Sequence, residues 1–347
     1  MNITYLIGNG FDISIGLKTK YSDFYPYYIK NSRDDSLIKS WMKKDQKNNQ
    51  LYDKWSDLEE TLGKYTKFLN KGQEQKYTED YLELIQLLIN YLKEQINHID
   101  YKKHSAEIFK EMQKSLESYL ELGSNADKQL IGEKIYQYQN QPYIFNFIVF
   151  NYTMILGRLI EICNETSSII SKHTFQRNSY NESIGHIVHV HGTLDNGLIL
   201  GVNDLSQIYS DDLKNSDYSS LMIKKEMNAT AGNGNDLRAR QLINNSLIIV
   251  TYGLSIGFTD KDWWVYIINW LKQSNNRILI IHWYEPDSIN ESIPQTKFLK
   301  RRQIIARIKE VTEMGDVIDK LNERIIIYFN KNIFNFNLLS NDKICIA

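Results

Sequence analysis

Cysteine is scarce in this chain: only Cys163 and Cys345 occur, far apart and without a CxxC pair. That count excludes a disulfide framework and a four-cysteine zinc ribbon, and it suits a reducing compartment. Proline is nearly as rare, at 4 in 347 residues, and no repeat or low-complexity stretch marks a linker. Long apolar runs are missing as well. The most apolar stretch, residues 143–156, carries Asn146 and Asn151 and falls short of the roughly 20 residues a membrane span needs. The opening run from Ile3 to Ile7 has no basic flank and is too short for a signal peptide. Nor does one charge dominate: 41 Lys and Arg stand against 42 Asp and Glu. Such a balance offers no global pull on nucleic acid or anionic lipid. These absences point to a cytoplasmic protein without a membrane or nucleic-acid partner.

What is present is ordinary globular material, with 42% hydrophobic residues, enough to bury a core unaided. Strand-like runs at Ile3–Ile7, Phe145–Phe150, His186–His191, Ser246–Thr251, Arg277–Trp283 and Arg324–Tyr328 alternate with helical patterns, which predicts an α/β protein with a largely parallel sheet. Between the first two strands the pattern is helical. Tyr77, Tyr81, Leu84, Leu88 and Tyr91 repeat at the spacing of one helix face, and residues 51–69 and 105–121 read as further helices. The expected organisation is a Rossmann-like domain of residues 1–30 and 142–347, interrupted by a helical insertion of residues 31–141. Asp195-Asn196-Gly197 predicts a hairpin-like turn into Leu198–Leu200, and the polar residues 207–240 predict a loop or lid.

Candidate chemistry collects where strands give way to turns. Gly8-Asn9-Gly10-Phe11-Asp12 follows the first strand, where bare glycine backbone lets N–H groups approach a phosphate at a helix N-terminus. Gly16 comes six residues after Gly10 rather than three, so this is not the dehydrogenase fingerprint, and a tight turn without a ligand reads equally well. Asn151 follows the second strand. It can hold a sugar hydroxyl or a water, or simply cap a helix. His189 and His191 alternate onto one face, but no further ligand cluster supports a metal, and none is expected. His191 precedes Gly192 at a strand end, where open α/β sheets bind their ligands, so it is the better functional candidate. Gly253-Leu254-Ser255-Ile256-Gly257 resembles a nucleophile elbow, with His282 the only later histidine. A second loop contacting phosphate or ribose is the preferred reading. The carboxylates of Trp55-Ser56-Asp57-Leu58-Glu59-Glu60 lie on a helical pattern and are expected to face water.

Taken together, Leu6–Asp12, Gly16–Phe24, Trp55–Glu59, Phe150–Thr153, His191–Leu194 and Tyr252–Asp260 resemble, in order, the bacteriophage abortive-infection AbiH family. Leu254 departs from it, standing where the family usually has histidine. A more distant resemblance is to sirtuin-like NAD-binding domains. Gly8, Asn9, Gly10 and Gly16-Leu17 are similar to their glycine segment, Asn151 to the asparagine of their N-x-D motif, and His191-Gly192 to their catalytic HG. Gly253 and Ser255 are similar to their ribose-holding loop. Thr153 stands in place of the aspartate, and Tyr21–Phe24 lacks the expected arginine. With no zinc ribbon, protein deacylation is not expected. These resemblances imply an antiphage protein that hydrolyses NAD at the nicotinamide–ribose bond. Asn151 and His191 would be catalytic; Gly8, Asn9, Gly10, Phe11, Asp12, Thr153, Gly253, Ser255 and Asp260 would bind the nucleotide (NAD or an ADP-ribose-like ligand). A phage-derived trigger and a homo-oligomer are compatible partners. The alternatives are a non-catalytic nucleotide sensor and a toxin acting on RNA.

Overall fold

A computed structural model describes residues 1–97, 99–290 and 292–336. Cys345 lies outside the described residues. Seven strands form one sheet: β1 Asn2–Ile7, β2 Tyr143–Val149, β3 Ser171–Phe175, β4 Asn178–His189, β5 Ile248–Tyr252, β6 Ile278–Trp283 and β7 Ile325–Phe329, in the spatial order β3-β4-β2-β1-β5-β6-β7. Every pairing is parallel except the β3–β4 edge hairpin. Sheets of this kind are covered on both faces, so their central strands read as continuous apolar runs. Accordingly all five residues of β5 are buried, and so are Ile3–Ile7 of β1.

Register determines which loops meet. Ile7 pairs with Val149 on one side and with Tyr252 on the other. Gly8, Phe150 and Gly253 therefore leave the sheet at the same carboxyl edge. From β1 the chain builds outward to β2 and β4, then crosses back to place β5, β6 and β7 on the other side. The reversal puts a switch point between β1 and β5, the crevice where open α/β sheets take ligands.

Alternation along the strands separates two cores. Ile3, Tyr5 and Ile7 face one, with the helices Ser105–Glu121 and Ile155–Thr166; Leu6 faces the other, with Lys261–Lys272 and Pro294–Thr312. A third apolar cluster stands apart from both. It joins Phe24, Trp55, Leu58 and Tyr81 of the early helices to Leu194, Leu200, Val202, Ile208, Met222 and Ile223 from much later in the chain.

Two local expectations need correction, and one hairpin carried no readable signal. Leu198–Leu200 does not form a strand, because its side chains enter the third cluster; Ile199 N donates to His191 O at 2.9 Å without extending a ladder. Residues 207–240 are not an open loop but largely short helices, including Asp211–Lys214, Lys224–Ala231 and Asn235–Asn245. They fold because scattered Ile208, Leu213, Met222 and Ala239 become buried. Finally, the β3–β4 hairpin went unrecognised in a polar stretch. Its turn uses Gln176 and Arg177 at φ 47° and 72°, positions where Asn-Gly would have been the readable signal.

Candidate functional site

The turn after β1 is closed by backbone packing. A Cβ on Gly8 would lie 2.4 Å from Gly253 O, and one on Gly10 would lie 2.4 Å from Gly253 Cα. Gly8 N donates to Tyr252 O, Gly10 N to Gly253 O and Phe11 N to Gly8 O. Those three donors, expected to meet phosphates, are thus already used inside the protein. The glycines are required by loop-to-loop contact. Asn9 is also committed: its amide donates to Thr19 O at 2.8 Å and accepts from the Thr19 hydroxyl at 2.7 Å. Phe11 packs edge-on against Phe334 in the core.

Beyond this turn, Asp12 meets the loop after β2. The Thr153 hydroxyl donates to Asp12 Oδ2 at 2.7 Å. Burial pushes the Asp12 carboxyl up to about 6, although Thr153 and neighbouring Asn151 pull the other way. Asn151, Thr153 and Asp12 are all buried. Asn151 O lies 3.4 Å from His189 Nδ1, and burial holds the His189 imidazole below its ordinary value.

A second polar group surrounds His191, just past the end of β4. Its Nε2 lies 3.0 Å from Asp260 Oδ1, and its ring stands edge-on to Phe150 at 5.4 Å. Lys224 Nζ donates to the same Asp260 oxygen at 2.9 Å, to Glu59 Oε2 at 2.8 Å and to Thr259 O at 3.3 Å. Glu59 Oε1 accepts from the Tyr152 hydroxyl and from Gly201 N, both at 3.2 Å. Burial opposes the charge on Asp260, but Lys224 and then His191 outweigh it and hold the carboxyl well below the usual range. Lys224 is likewise opposed by burial, yet Asp260 and Glu59 raise it.

Several of these buried groups lack partners. Asp12 Oδ1, Asn151 Oδ1, His189 Nε2 and His191 Nδ1 find no hydrogen-bond partner among the described residues. Buried polar atoms are nearly always satisfied, so these four along one sheet edge have the capacity to bind a water or a ligand. A recess of about 30 Å³, partly open to solvent, lies beside His191, Lys224 and Asp260, room for one or two waters.

The expected site residues therefore divide. Asp12, Asn151 and Thr153 come together, and His191 and Asp260 come together. Gly253 joins the Gly8–Gly10 turn, whereas Ser255 is exposed and engages Trp264 only through its backbone oxygen. His282 is buried between the Tyr252 and Tyr328 rings, with burial pushing it down to about 3, and it makes no contact with Ser255. That removes the elbow reading. Glu59, expected to face water, is buried, because the late-chain Lys224 folds over it. Lys224 itself carried no local signal, being one lysine in a polar stretch, and the role of Tyr152 was masked by its neighbour Asn151.

The fold and the site together define an α/β protein with a buried polar group at the carboxyl edge of an open, mostly parallel sheet. The chain belongs to the family described as bacteriophage abortive infection AbiH, whose sequence profile matches residues 4–282. All the candidate residues fall inside that span. A comparison with curated proteins returned no match.

Proposed function

We propose that this protein acts in abortive-infection defence by binding NAD across the switch point and hydrolysing the nicotinamide–ribose bond. The observation that carries the reading is the set of buried, unpaired atoms of Asp12, Asn151 and His191 at the carboxyl edge. Apart from β3, the strands run third, second, first, fourth, fifth, sixth across the sheet, the order of doubly wound dinucleotide-binding sheets, and this supports a dinucleotide ligand.

In this mechanism the bond from ribose C1′ to the nicotinamide nitrogen breaks as the nitrogen takes the electron pair. Neutral nicotinamide leaves, and C1′ acquires oxocarbenium character. The ionised Asp12 carboxylate stabilises that charge in a low-dielectric setting. Asn151 orients the attacking water, and His191, braced by Asp260, accepts its proton as the new C1′–O bond forms. ADP-ribose and one released proton complete the balance. Thr153 fixes the Asp12 rotamer, and the Gly253–Ser255 turn lies along the ribose. Gly8, Asn9, Gly10 and Phe11 support the ligand by shaping the loop.

The small size of the recess beside His191 favours one second reading, a sensor that binds nucleotide without turnover. Incubating the purified protein with NAD, with and without phage lysate, separates the two. Loss of NAD with equimolar nicotinamide, abolished in folded Asn151→Ala and His191→Ala, supports hydrolysis. Saturable NAD or ADP-ribose binding without product supports the sensor. RNA breakdown with NAD intact would discard both.

A further inference from the structure

Two kinds of surface meet at the site. The apolar side chains of residues 200–223 pack with the early helices in the third cluster, which also takes in Leu194 and Leu198 from the loop after His191; toward Asp260 and Asp262 the contacts of this segment are hydrogen bonds and an ion pair. Lys224 bridges Glu59 and Asp260, Asn203 Nδ2 donates to Asp262 Oδ1 at 3.3 Å, and Asp262 N donates to Asn203 Oδ1 at 3.1 Å. Just beyond, Asn235 Nδ2 donates to His189 O at 3.0 Å. Apolar packing resists separation because water cannot replace it; hydrogen bonds and ion pairs can be exchanged for hydration.

We propose that residues 200–231 and the helices of the third cluster form a lid, and that Lys224, clamped between Glu59 and Asp260, is the latch that shuts it over His191. The assignment rests on His191 as the working residue of the proposed site. A recess of about 30 Å³ beside His191 cannot admit a sugar, since small-molecule sites span roughly 300 Å³ or more, so ligand entry requires this seam to part. Glu59 comes from the helix Leu58–Tyr65, Lys224 starts the helix Lys224–Ala231, and Asp260 precedes the helix Lys261–Lys272. One cation therefore ties three distant segments. Its loss removes the one cation shared by two buried carboxylates, Glu59 and Asp260.

The test is diethylpyrocarbonate modification of His191, located by peptide mass spectrometry, together with amide hydrogen exchange, on the full chain. In Lys224→Met, His191 should react about tenfold faster or more, as expected when one partner of a buried ion pair is lost. Exchange should quicken in residues 58–65 and 200–231 while β1, β2 and β5 keep their protection. Lys224→Arg should retain the slow rates, which a merely space-filling role would not require. Should Lys224→Met fail to fold, Glu59→Gln, which removes one charge and keeps the shape, should give an intermediate acceleration. Unchanged His191 reactivity in a folded Lys224→Met protein, or faster exchange spread evenly over the sheet, overturns the latch. NAD consumption is read in parallel and independently. An opened lid with NAD intact leaves the latch standing and sinks the hydrolase reading. A consumed NAD pool with His191 still shielded does the reverse.

Discussion

His191 Nε2 and Lys224 Nζ reach the same oxygen, Asp260 Oδ1, at 3.0 Å and 2.9 Å. One carboxylate thus braces a histidine from the sheet edge and anchors a lysine from the lid. Asp260→Asn keeps the shape but removes the charge both groups depend on. NAD turnover should fall by about two orders of magnitude or more, the usual scale for disabling a general base. Nicotinamide release, measured by chromatography on protein with an unchanged circular dichroism spectrum, checks this.

Asp12 gives a pH signature. Its folded-state carboxyl is raised to about 6 from an ordinary 3.8. Between those values the folded protein holds the proton more tightly than the unfolded chain, so this group costs stability progressively as pH rises from 4 to 6. Asp12→Asn should therefore be more stable than wild type at pH 7.5, by about 3 kcal/mol before relaxation, with the gap closing towards pH 4. Urea unfolding of both proteins across that range measures the difference and removes the parallel contribution of Asp57, whose carboxyl burial and Glu59 also raise to about 6. A gap that widens as pH falls would refute the assignment.

The glycine contact is tested by size. Gly10→Ala drives a methyl onto Gly253 Cα, and Gly253→Ala drives one onto Gly10 Cα at 2.6 Å from a backbone with φ 63°. Each should lower stability by about 1–3 kcal/mol, with Gly253→Ala the worse because left-handed strain is added to overlap. Thermal melts rank them, and equal or negligible losses would mean that the two loops do not touch in solution.

In the early helices, Asp45 accepts from Trp55 Nε1 at 3.0 Å and Lys54 Nζ at 2.9 Å, and also from the Tyr65 hydroxyl. Asp45→Ala strands the buried Trp55 donor and should destabilise the protein by about 1–3 kcal/mol. Trp55 fluorescence during denaturation reports it directly. A loss below 1 kcal/mol would show that the network is dispensable.

Much of the architecture was readable along the chain. β1, β2 and β5–β7 are apolar runs because both sheet faces are buried, and the face carrying Tyr77, Tyr81, Leu84 and Leu88 repeats at helical spacing. Asn151 and His191 were legible as candidates because each directly follows a strand. Glu59 and Lys224 were not, since 165 positions separate them and neither looks unusual among its neighbours. Gly8 and Gly10 were recognised as necessary for a different reason from the one the structure supplies, because backbone approach to a ligand and backbone approach to another loop make the same demand on side-chain size.

Local patterning alone settled β1, β2 and β5–β7, the long helices and the edge of the sheet where polar residues would gather, because those follow from periodicity and from where apolar runs stop. Only the folded arrangement decided that residues 194–223 pack with helices more than a hundred positions earlier, that Asp260 serves both His191 and Lys224, and that Glu59 is buried beneath Lys224. Such outcomes depend on which buried charges meet, and Coulombic pairing and desolvation act through space, with no trace in the order of residues.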